Sequence, residues 1–432
     1  MSNNEAPPGG FKQTEIGLIP EEWEIMKLGS IAETKSGGTP SRNDPSLFQG
    51  GIPWVKSGEL DDLVVRDTEE KITDKALQNS SAKVFPKGTL LIALYGATVG
   101  KTGILGIDAT TNQAVCAIFP KADAFTPSYL QYYFIRIRPE LLKARYGGAQ
   151  PNISQTVIKD TIVIIPPLPE QRAIAHVLSK IQAAAQAQAA IAGRARELKR
   201  ALMAKLFTEG LRRGEPLKET EMGPMPESWE VAPLGDCLRQ AQYGLSVRGE
   251  KSGKYPLLRM TNQQNGVIVP TDLQYVNIDE QEIMKFRLNR RELLFNRTNS
   301  IDLVGRTALF DLEGDYVFAS YLIRLAVVDD VLDPRFLNYY LNEESSQARL
   351  KGLATRGVSQ SNISASRLKT FQVPVPTLDE QRDIARILQV MDAKIAAAER
   401  KRAGLEELFR AMLGELMTGR VRATLLIDAL FV

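Results

Sequence analysis

The chain contains a long internal repeat, and this repeat constrains the fold more than any other feature of the sequence. Residues 166–175 read PPLPEQRAIA and residues 376–385 read PTLDEQRDIA, so adding 210 to a position in the first copy gives its match in the second. The same offset relates residues 202–208 (LMAKLFT) to 412–418 (MLGELMT). A repeat of this length indicates two related halves. Each half is predicted to be a globular segment followed by a long helix.

The beginnings of the two halves also match each other. Residues 14–24 (TEIGLIPEEWE) return as residues 220–230 (TEMGPMPESWE), now with an offset of 206, while the sequences between the matching ends have diverged. These matches define the predicted domains. They are a disordered leader (1–13), a first globular segment (14–165), a first helical region (166–214), a second globular segment (215–373), a second helical region (374–422) and a tail (423–432).

Both helical regions carry apolar or small residues at alternating spacings of three and four. This heptad pattern continues for about five heptads, which is typical of paired helices. A whole globular segment separates the helices, so they can run antiparallel, and about 40 residues would form a rod of roughly 60 Å. The positions of the pattern are Ile174, Leu178, Ile181, Ala185, Ala192, Ala195, Leu198, Leu202 and Leu206 in the first copy, and Ile384, Leu388, Met391, Ile395, Ala398, Leu405, Phe409, Met412 and Leu416 in the second.

The globular segments mix strand and helix signals. Residues 88–95 and 114–119 are apolar runs of strand length, and residues 127–137 form a short helical pattern whose counterpart begins at Asp333. The predicted fold class is therefore α+β. Two mixed α/β segments are separated by two long α-helices, which form an antiparallel coiled coil with an approximate twofold internal repeat.

Composition excludes several classes of protein. The net charge of the 432 residues is only +3, but residues 166–214 hold nine Lys and Arg against three Asp and Glu, so the basic character lies on the first long helix. No apolar run reaches membrane length, and the polar N-terminus does not resemble a signal peptide. Cys116 and Cys237 occupy unrelated positions, which favours reduced thiols. We expect a cytoplasmic protein that does not bind membranes.

The sequence also lacks the patterns of common catalytic sites. Residues 96–102 (GATVGKT) resemble a phosphate-binding P-loop, but only three residues separate the two glycines where the motif needs four, and Tyr95 stands where the first glycine belongs. The single histidine, His176, aligns with Arg386, which favours a solvated helix face. No Cys/His cluster indicates a metal site. We expect no catalytic residues, no metal and no bound cofactor.

Two related heads on a rod could bind two DNA sites at a fixed separation. Bases are contacted by Arg, Lys, Asn and Gln in a groove, and phosphates also by Ser, Thr and Tyr. Turns of both segments offer such side chains. The predicted DNA contacts are Lys35, Thr39, Ser41, Arg42, Lys101, Thr102, Arg145, Tyr146, Gln150 and Asn152 in the first segment, and Gln242, Tyr243, Arg259, Asn262, Asn296, Arg297, Asn299, Arg306, Arg356 and Gln360 in the second.

Taken together, the motifs resemble the specificity subunit of a type I restriction–modification enzyme. The resemblance rests on PLPEQR at 167–172 and TLDEQR at 377–382, on the openings IPEEW at 19–23 and MPESW at 225–229, on YGATVGKT at 95–102, and on NIS at 152 and 362. It covers residues 14–422.

The resemblance implies that each globular segment is a target-recognition domain that reads one half of a split sequence in double-stranded DNA. The helices would set the gap between the half-sites. It further implies a non-catalytic subunit that binds two modification subunits, which use S-adenosylmethionine to methylate adenine. Through them it would recruit ATP-dependent restriction subunits. The tail from residue 423 departs from the repeat.

Two alternative functions remain open. A coiled-coil scaffold whose heads bind proteins would explain the helices equally well, although it does not explain why the heads diverge between matching ends. A P-loop enzyme is disfavoured by the glycine spacing. Nucleotide binding would identify the enzyme, and a steep loss of DNA affinity with salt would distinguish a DNA-binding protein from the scaffold.

Overall fold

The computed structural model describes residues 9–143, 152–357 and 360–424, with the side chain of Arg356 also outside the description. The chain forms two compact units. Unit 1 comprises residues 1–188 and 401–432, and unit 2 comprises residues 189–400. Each unit therefore contains one globular segment and one half of each long helix.

The strands of unit 1 are β1 (Phe11–Thr14), β2 (Gly17–Pro20), β3 (Glu24–Lys27), β4 (Ala32–Ser36), β5 (Ile52–Val55), β6 (Leu63–Val65), β7 (Glu70–Ile72), β8 (Leu90–Ala93), β9 (Thr102–Leu105), β10 (Thr110–Thr111), β11 (Val115–Pro120) and β12 (Ile162–Ile165). The helices that begin in this unit are α1 (Leu28–Ile31), α2 (Asp74–Gln78), α3 (Pro127–Lys143), α4 (Gln155–Asp160) and α5 (Leu168–Glu209), and short 3-10 helices span Pro45–Phe48 and Ser57–Glu59.

The strands of unit 2 are β13 (Leu217–Thr220), β14 (Gly223–Pro226), β15 (Glu230–Pro233), β16 (Leu238–Tyr243), β17 (Tyr255–Leu258), β18 (Gln263–Gln264), β19 (Val267–Ile268), β20 (Gln274–Val276), β21 (Leu293–Asn296), β22 (Thr298–Asn299), β23 (Thr307–Leu309), β24 (Val317–Phe318), β25 (Leu322–Val327), β26 (Thr355–Arg356), β27 (Ser361–Asn362) and β28 (Gln372–Val375). Its helices are α6 (Glu280–Phe286), α7 (Pro334–Leu341), α8 (Glu344–Gly352), α9 (Ala365–Lys369) and α10 (Leu378–Met417), with 3-10 helices at Leu234–Cys237 and Met260–Asn262.

The main sheets of the two units have the same topology, although their sequences have diverged. The order in unit 1 is β4-β11-β8-β9-β6, and in unit 2 it is β16-β25-β21-β23-β19-β18. In both sheets the first four strands are antiparallel and the fifth strand is parallel to its neighbour. The predicted α+β class is confirmed, and the repeat extends through the whole globular segment.

A two-stranded sheet joins the two ends of each globular segment. In unit 1, β3 pairs antiparallel with β12, and in unit 2, β15 pairs in the same way with β28. The residues before β3 and after β12 are those that match between the halves. The matching ends therefore belong to one structural element, which positions the start of the long helix.

The long helices run antiparallel in each unit. In unit 2, Lys199 of α5 bonds to Asp392 of α10 at 2.6 Å, and the backbone N–H of Leu211 donates to Glu380 at 3.0 Å. Later residues along α5 therefore lie beside earlier residues of α10. In unit 1, the end of α10 lies in one core with the start of α5. The predicted antiparallel pairing is confirmed.

One position of the predicted apolar stripe was wrong. Leu198 is 58% exposed, whereas Lys199 and Met203 lie against the partner helix or the core. An α-helix has 3.6 residues per turn and drifts by about 20° per heptad against a strict seven-residue repeat. Over five heptads this drift moves the buried stripe by one position.

A fully buried glutamine stands in the first turn of each long helix. The Gln171 side chain accepts a hydrogen bond from the N–H of Thr126 (2.8 Å) and donates to the carbonyls of Ala124 (3.2 Å) and Pro166 (2.9 Å). Gln381 repeats the arrangement: it accepts from Asp333 N–H (2.7 Å) and donates to Val331 and Pro376 (both 2.9 Å). One amide thus connects the helix to the segment that leads into α3 or α7.

The glutamate before each glutamine is also buried. Glu170 accepts hydrogen bonds from the Trp23 indole (2.9 Å), from the Arg422 guanidinium (2.8 Å at Nε) and from the N–H of Ala423 (3.3 Å). These bonds raise the pKa of Arg422 well above its usual value, mainly through the hydrogen bond to Glu170. The C-terminal end of α10 is thereby held at the start of α5.

We predict that Gln171→Leu destabilises unit 1 because it leaves three backbone groups without partners, one of them buried and two partly buried. The expected cost is about 3 kcal/mol, the range for a buried hydrogen-bond network that loses one member. This corresponds to a melting temperature lower by roughly 6–12 °C for a unit of this size, measured by scanning calorimetry. The control is Arg172→Leu at the exposed neighbouring position, which should change stability by less than about 0.5 kcal/mol. Equal effects of the two substitutions would contradict the role of the glutamine.

Candidate nucleic-acid interface

In each unit, two loops meet beyond the C-terminal end of a central strand of the main sheet, β8 in unit 1 and β21 in unit 2. In unit 1, the chain leaving β8 is joined to the segment before α4 by a hydrogen bond from Ile153 N–H to the Leu94 carbonyl (2.7 Å). In unit 2, the bond from Ile363 N–H to the Arg297 carbonyl (2.8 Å) occupies the same place. We call this arrangement the loop junction. The backbone frame is shared, while the side chains on it differ.

The loop junction of unit 2 presents an arginine stacked on a tyrosine. The Arg297 guanidinium lies 4.6 Å from the centre of the Tyr243 ring and donates to the Ser320 carbonyl (3.2 Å). Tyr243 is itself fixed because its hydroxyl accepts from the N–H of Ala365 (2.8 Å). Beside them, Asn362 donates to Thr298 (2.7 Å). These groups form a held surface of hydrogen-bond donors and an aromatic face.

Two predicted residues of unit 2 lie close to this surface. Asn299 is half-buried and contacts Met260, and Gln360 is exposed, with its carbonyl accepting from Gly357 N–H (2.9 Å). The backbone of Arg356 belongs to β26 in the same small sheet. All three positions are brought together with Arg297.

In unit 1, Arg42 is the most strongly held of the predicted residues. Its guanidinium makes a two-fold contact with Glu70 (2.6 and 3.2 Å) and lies 4.1 Å from the centre of the Phe48 ring. The hydrogen bond from Arg42 holds the pKa of Glu70 below its usual value. About half of the Arg42 side chain stays exposed, so it remains accessible.

The other predicted residues of this part of unit 1 form an exposed edge. Lys35 lies over the Phe119 ring at 5.5 Å and 3.8 Å from Glu33. Thr39 bonds to Gln113, and Ser41 is exposed beside Arg42. These three side chains lie at or near the surface and contact only nearby residues of unit 1 in the part of the chain that the structure describes, so they remain accessible to a ligand.

The GATVGKT sequence forms a tight turn between two strands and not a phosphate-binding loop. Gly100 N–H donates to Ala93 (2.8 Å) and Lys101 N–H donates to Thr98 (2.9 Å), so these amides are used within the hairpin. The turn leads into strand β9, whereas a P-loop leads into a helix. The counterpart in unit 2, where Gly305 N–H donates to Asn296 (2.8 Å), has the same geometry.

Several predicted residues have internal roles instead. Thr102 is fully buried and bonds to Asp62 (3.0 Å), and the buried Asn262 donates to the carbonyls of Val269 (3.2 Å) and Thr271 (2.8 Å). These two side chains are structural, which corrects the prediction of a DNA contact for them. The physical reason is that a short polar side chain in a turn bonds readily to nearby backbone.

Three further predicted residues are partly engaged inside the fold. Asn296 is buried in β21. Gln242 accepts from the buried Arg324, and Arg259 pairs with Asp272 at 3.1 Å. They offer less to a ligand than Arg297 does.

Arg306 lines a cavity of about 520 Å³ between the globular segment of unit 2 and the long helices in that unit. Arg200 and Lys351 line the same cavity. The corresponding residue of unit 1, Lys101, is half-buried. Basic residues of α5 thus lie beside the turn that contains Arg306, one of the predicted DNA contacts.

Part of the predicted site lies outside the described residues. Arg145, Tyr146 and Gln150 belong to residues 144–151, whereas Asn152 is described, is exposed, and forms an isolated β-bridge with Tyr95. The sequence analysis missed two exposed aromatic residues near the loop junctions, Tyr95 and Tyr321, the second of which is 47% exposed. Both tyrosines stand in turns among small or polar residues, and this sequence context could have identified them as exposed.

Within the ranges that the structure describes, no group of three His, Cys, Asp or Glu side chains could hold a metal ion. In the same ranges no helix combines the length and apolarity needed to cross a membrane. The thiol of Cys116 is buried, and burial raises its pKa to about 12.

Comparison with known families gives two matching stretches. Residues 20–191 and 226–407 each match the family described as the type I restriction modification DNA specificity domain. The two matches fall on the two halves of the internal repeat.

Individual relatives are similar over almost the whole chain. The specificity subunit of the type I restriction enzyme MjaIX from Methanocaldococcus jannaschii is 26% identical over 95% of this chain and 96% of its own. That of EcoKI from Escherichia coli is 21% identical, covering 94% and 91%. A crystal structure of an S subunit from M. genitalium has a TM-score of 0.60 at 14% identity and covers 91% of this chain and 96% of its own, which shows a shared fold.

Proposed function

Because the chain belongs to the type I restriction modification DNA specificity family, whose members are non-catalytic DNA-recognition subunits, we propose that its two globular segments each bind one half of a bipartite target in double-stranded DNA. The observation that carries this proposal is the loop junction. The backbone hydrogen bond is the same in both units, but Leu94 and Tyr95 stand in unit 1 where unit 2 has Arg297 and Thr298. The same backbone arrangement with different side chains suits two segments that bind different DNA sequences.

The long helices are proposed to determine the gap between the two half-sites. Each recognition segment is joined to them by the buried glutamines Gln171 and Gln381, so the segment cannot swing freely about the start of its helix. Seven helical residues contribute roughly 10 Å of length. One base pair rises about 3.4 Å, so one heptad corresponds to about three base pairs.

The long helices are also proposed to bind two modification subunits, which carry S-adenosylmethionine and through which restriction subunits join. Large apolar side chains on both helices are exposed, among them Ile191 and Leu198 on α5 and Val390 and Leu408 on α10. Leu198 and Leu408 are related by the repeat offset of 210. Residues seven apart, such as Ile191 and Leu198, lie on one side of a helix. Ile191 and Val390 have lysines, Lys401 and Lys180, at their repeat positions, so the exposed apolar position that the two helices share is the one held by Leu198 and Leu408. One such position on each helix suits two copies of one partner.

We predict that cells carrying this chain together with its modification subunit methylate adenine in one bipartite motif, detected by methylome sequencing. A chain that lacks residues 188–194 and 398–404, one heptad at matching positions of each helix, should methylate the same half-sites with a gap shorter by about three base pairs.

Cells with the modification subunit alone are the control. An assembled complex that produces no new motif would contradict the DNA-recognition proposal. Methylation by the shortened chain at the original gap would contradict only the role of the helices.

We predict that Arg297→Ala weakens binding to one half-site and leaves the other unaffected. Loss of an arginine contact to a base costs about 1–3 kcal/mol, or roughly 10- to 100-fold in affinity. Binding of the complex would be measured on duplexes with either half-site scrambled. Arg290→Ala, which removes an exposed arginine paired with Asp311 elsewhere in unit 2, is the matched control. A uniform loss on all duplexes would instead identify Arg297 as a phosphate contact.

We predict that Leu198→Glu weakens binding of a modification subunit at least tenfold, because a buried charge would enter the apolar contact. The measurement is isothermal titration of the subunit into the chain. Met284→Glu, at an 80% exposed position of α6, is the control and should bind normally. Equal affinities of the two variants would place the partner elsewhere.

A further inference from the structure

In each unit the two long helices meet beside a tyrosine of the globular segment. In unit 2 this is Tyr339 of α7, whose hydroxyl donates to the carboxylate of Asp392 of α10 at 2.7 Å. Lys199 of α5 bonds to the other oxygen of that carboxylate at 2.6 Å and lies 5.0 Å from the centre of the Tyr339 ring. Burial and the neighbouring carboxylate raise the pKa of the Tyr339 hydroxyl above its usual value, so it stays a donor. We call this cluster the ionic contact.

Unit 1 makes the corresponding contact without charges. Its tyrosine is Tyr132, the sixth residue of α3, as the tyrosine of unit 2 is the sixth residue of α7. The Tyr132 hydroxyl donates to Gln182 of α5 at 3.1 Å, and the centre of its ring lies 5.9 Å from that of Phe409 of α10. At the repeat offset of 210, Gln182 matches Asp392 and Phe409 matches Lys199. We call this cluster the neutral contact.

The apolar positions of the helix interface do not distinguish one long helix from the other. Ile174 of α5 matches Ile384 of α10, Leu206 of α5 matches Leu416 of α10, and all four side chains are buried. A second copy of α5 could therefore bury the same side chains against α5 as α10 does. Two related helices in one chain thus have an alternative arrangement, in which two molecules pair like helix with like helix.

The ionic contact makes this alternative unfavourable. In an antiparallel pair of two α5 helices in the same register, Lys199 of each copy would face Gln182 of the other. In a pair of two α10 helices, Asp392 would face Phe409. Only 16% of the Lys199 side chain is exposed, against 40% for Asp392, so the lysine loses most in a pair of like helices. A largely buried charge that loses its partner is strongly destabilising.

A second ion pair joins the same two helices but is exposed. Arg196 of α5 contacts Glu399 of α10, and about half of each side chain is exposed to solvent. The repeat positions in unit 1 hold Ala189 and Glu406. Exposed ion pairs contribute little, because water screens them. This pair therefore offers a matched control for the ionic contact.

We propose that Lys199, Asp392 and Tyr339 determine that α5 pairs with α10 of the same chain and not with the α5 of a second copy. The neutral contact cannot do this alone, because a chain with a neutral contact in both units would make the same contact in every pairing. The proposal does not depend on DNA recognition, since it rests on contacts of the helices. Its consequence is that each molecule holds two different globular segments together.

The test makes the contact of unit 2 neutral and determines which helices then pair. Lys199→Phe with Asp392→Gln gives unit 2 the residues of the neutral contact. Parent and variant both carry Ala192→Cys, at a buried position near the midpoint of residues 182 and 199, where a pair of α5 helices would bring its two copies together. The native Cys116 and Cys237 are buried in the folded chain.

Full-length chains would be refolded at high concentration and oxidised, and the disulfide-linked dimer measured on a non-reducing gel. We expect at least about tenfold more linked dimer from the neutral variant than from the parent. Equal amounts would overturn the proposal. A neutral variant that melts more than about 5 °C below the parent would also overturn it, because the neutral contact would then be unable to replace the ionic one.

Two control variants separate the ionic contact from charge in general. Lys199→Asp with Asp392→Lys exchanges the charges, keeps an ion pair in unit 2 and still leaves each charge unpaired in a pair of like helices. Arg196→Ala with Glu399→Ala removes the exposed ion pair. Both controls should form as little linked dimer as the parent, and linkage by either at the level of the neutral variant would overturn the proposal.

Discussion

The architecture depends on one buried amide in the first turn of each long helix. Gln171 bonds to backbone groups of the segment before α3 and of the segment before α5, and Gln381 bonds to the equivalent groups in unit 2. An unpaired backbone group costs about 1–3 kcal/mol when it is buried, so three partners on one side chain make this position hard to replace. The amide explains why this stretch is nearly identical in both halves, while the loops that face solvent have diverged. A rigid connection at the start of the helix fixes the direction of the helix relative to its globular segment, which is what the proposed role of the helices in setting the gap requires.

The glutamates beside these glutamines connect the end of one helix to the start of the other. In unit 1, Glu170 holds Arg422 and Ala423, which follow α10. In unit 2, Glu380 accepts from the N–H of Leu211, which follows α5. Both carboxylates accept a backbone N–H from the residues after the other helix, and Glu170 in addition forms an ion pair with the partly exposed Arg422. Each carboxylate therefore joins the same two helix ends in its own unit. A charge buried without partners would be strongly unfavourable, so these contacts fix which ends meet.

The repeat in the sequence was sufficient to predict two related halves, two long helices and their antiparallel pairing. It failed at Leu198, because a pattern of seven residues and a helix of 3.6 residues per turn drift apart. The prediction of DNA contacts from loop composition failed at Thr102 and Asn262, because a polar residue in a turn can bond either to DNA or to nearby backbone, and the sequence does not distinguish the two. The topology of the main sheet could not be read from diverged strands, since register depends on partners distant in sequence. Tyr321 was missed because an aromatic residue in a loop is usually part of a core.

The loop junctions show how one fold can be used twice with different chemistry. Arg297 is held flat on Tyr243 and bonded to Ser320, so it loses less conformational freedom on binding than an unrestrained arginine would. At the same place in unit 1, Leu94 is buried and Tyr95 offers a ring in place of a cation. The shared hydrogen bond between the two loops keeps the backbone in position while these side chains change. Divergence of these side chains leaves the backbone of the loop junction unchanged, and this supports the proposal that the two halves recognise different sequences.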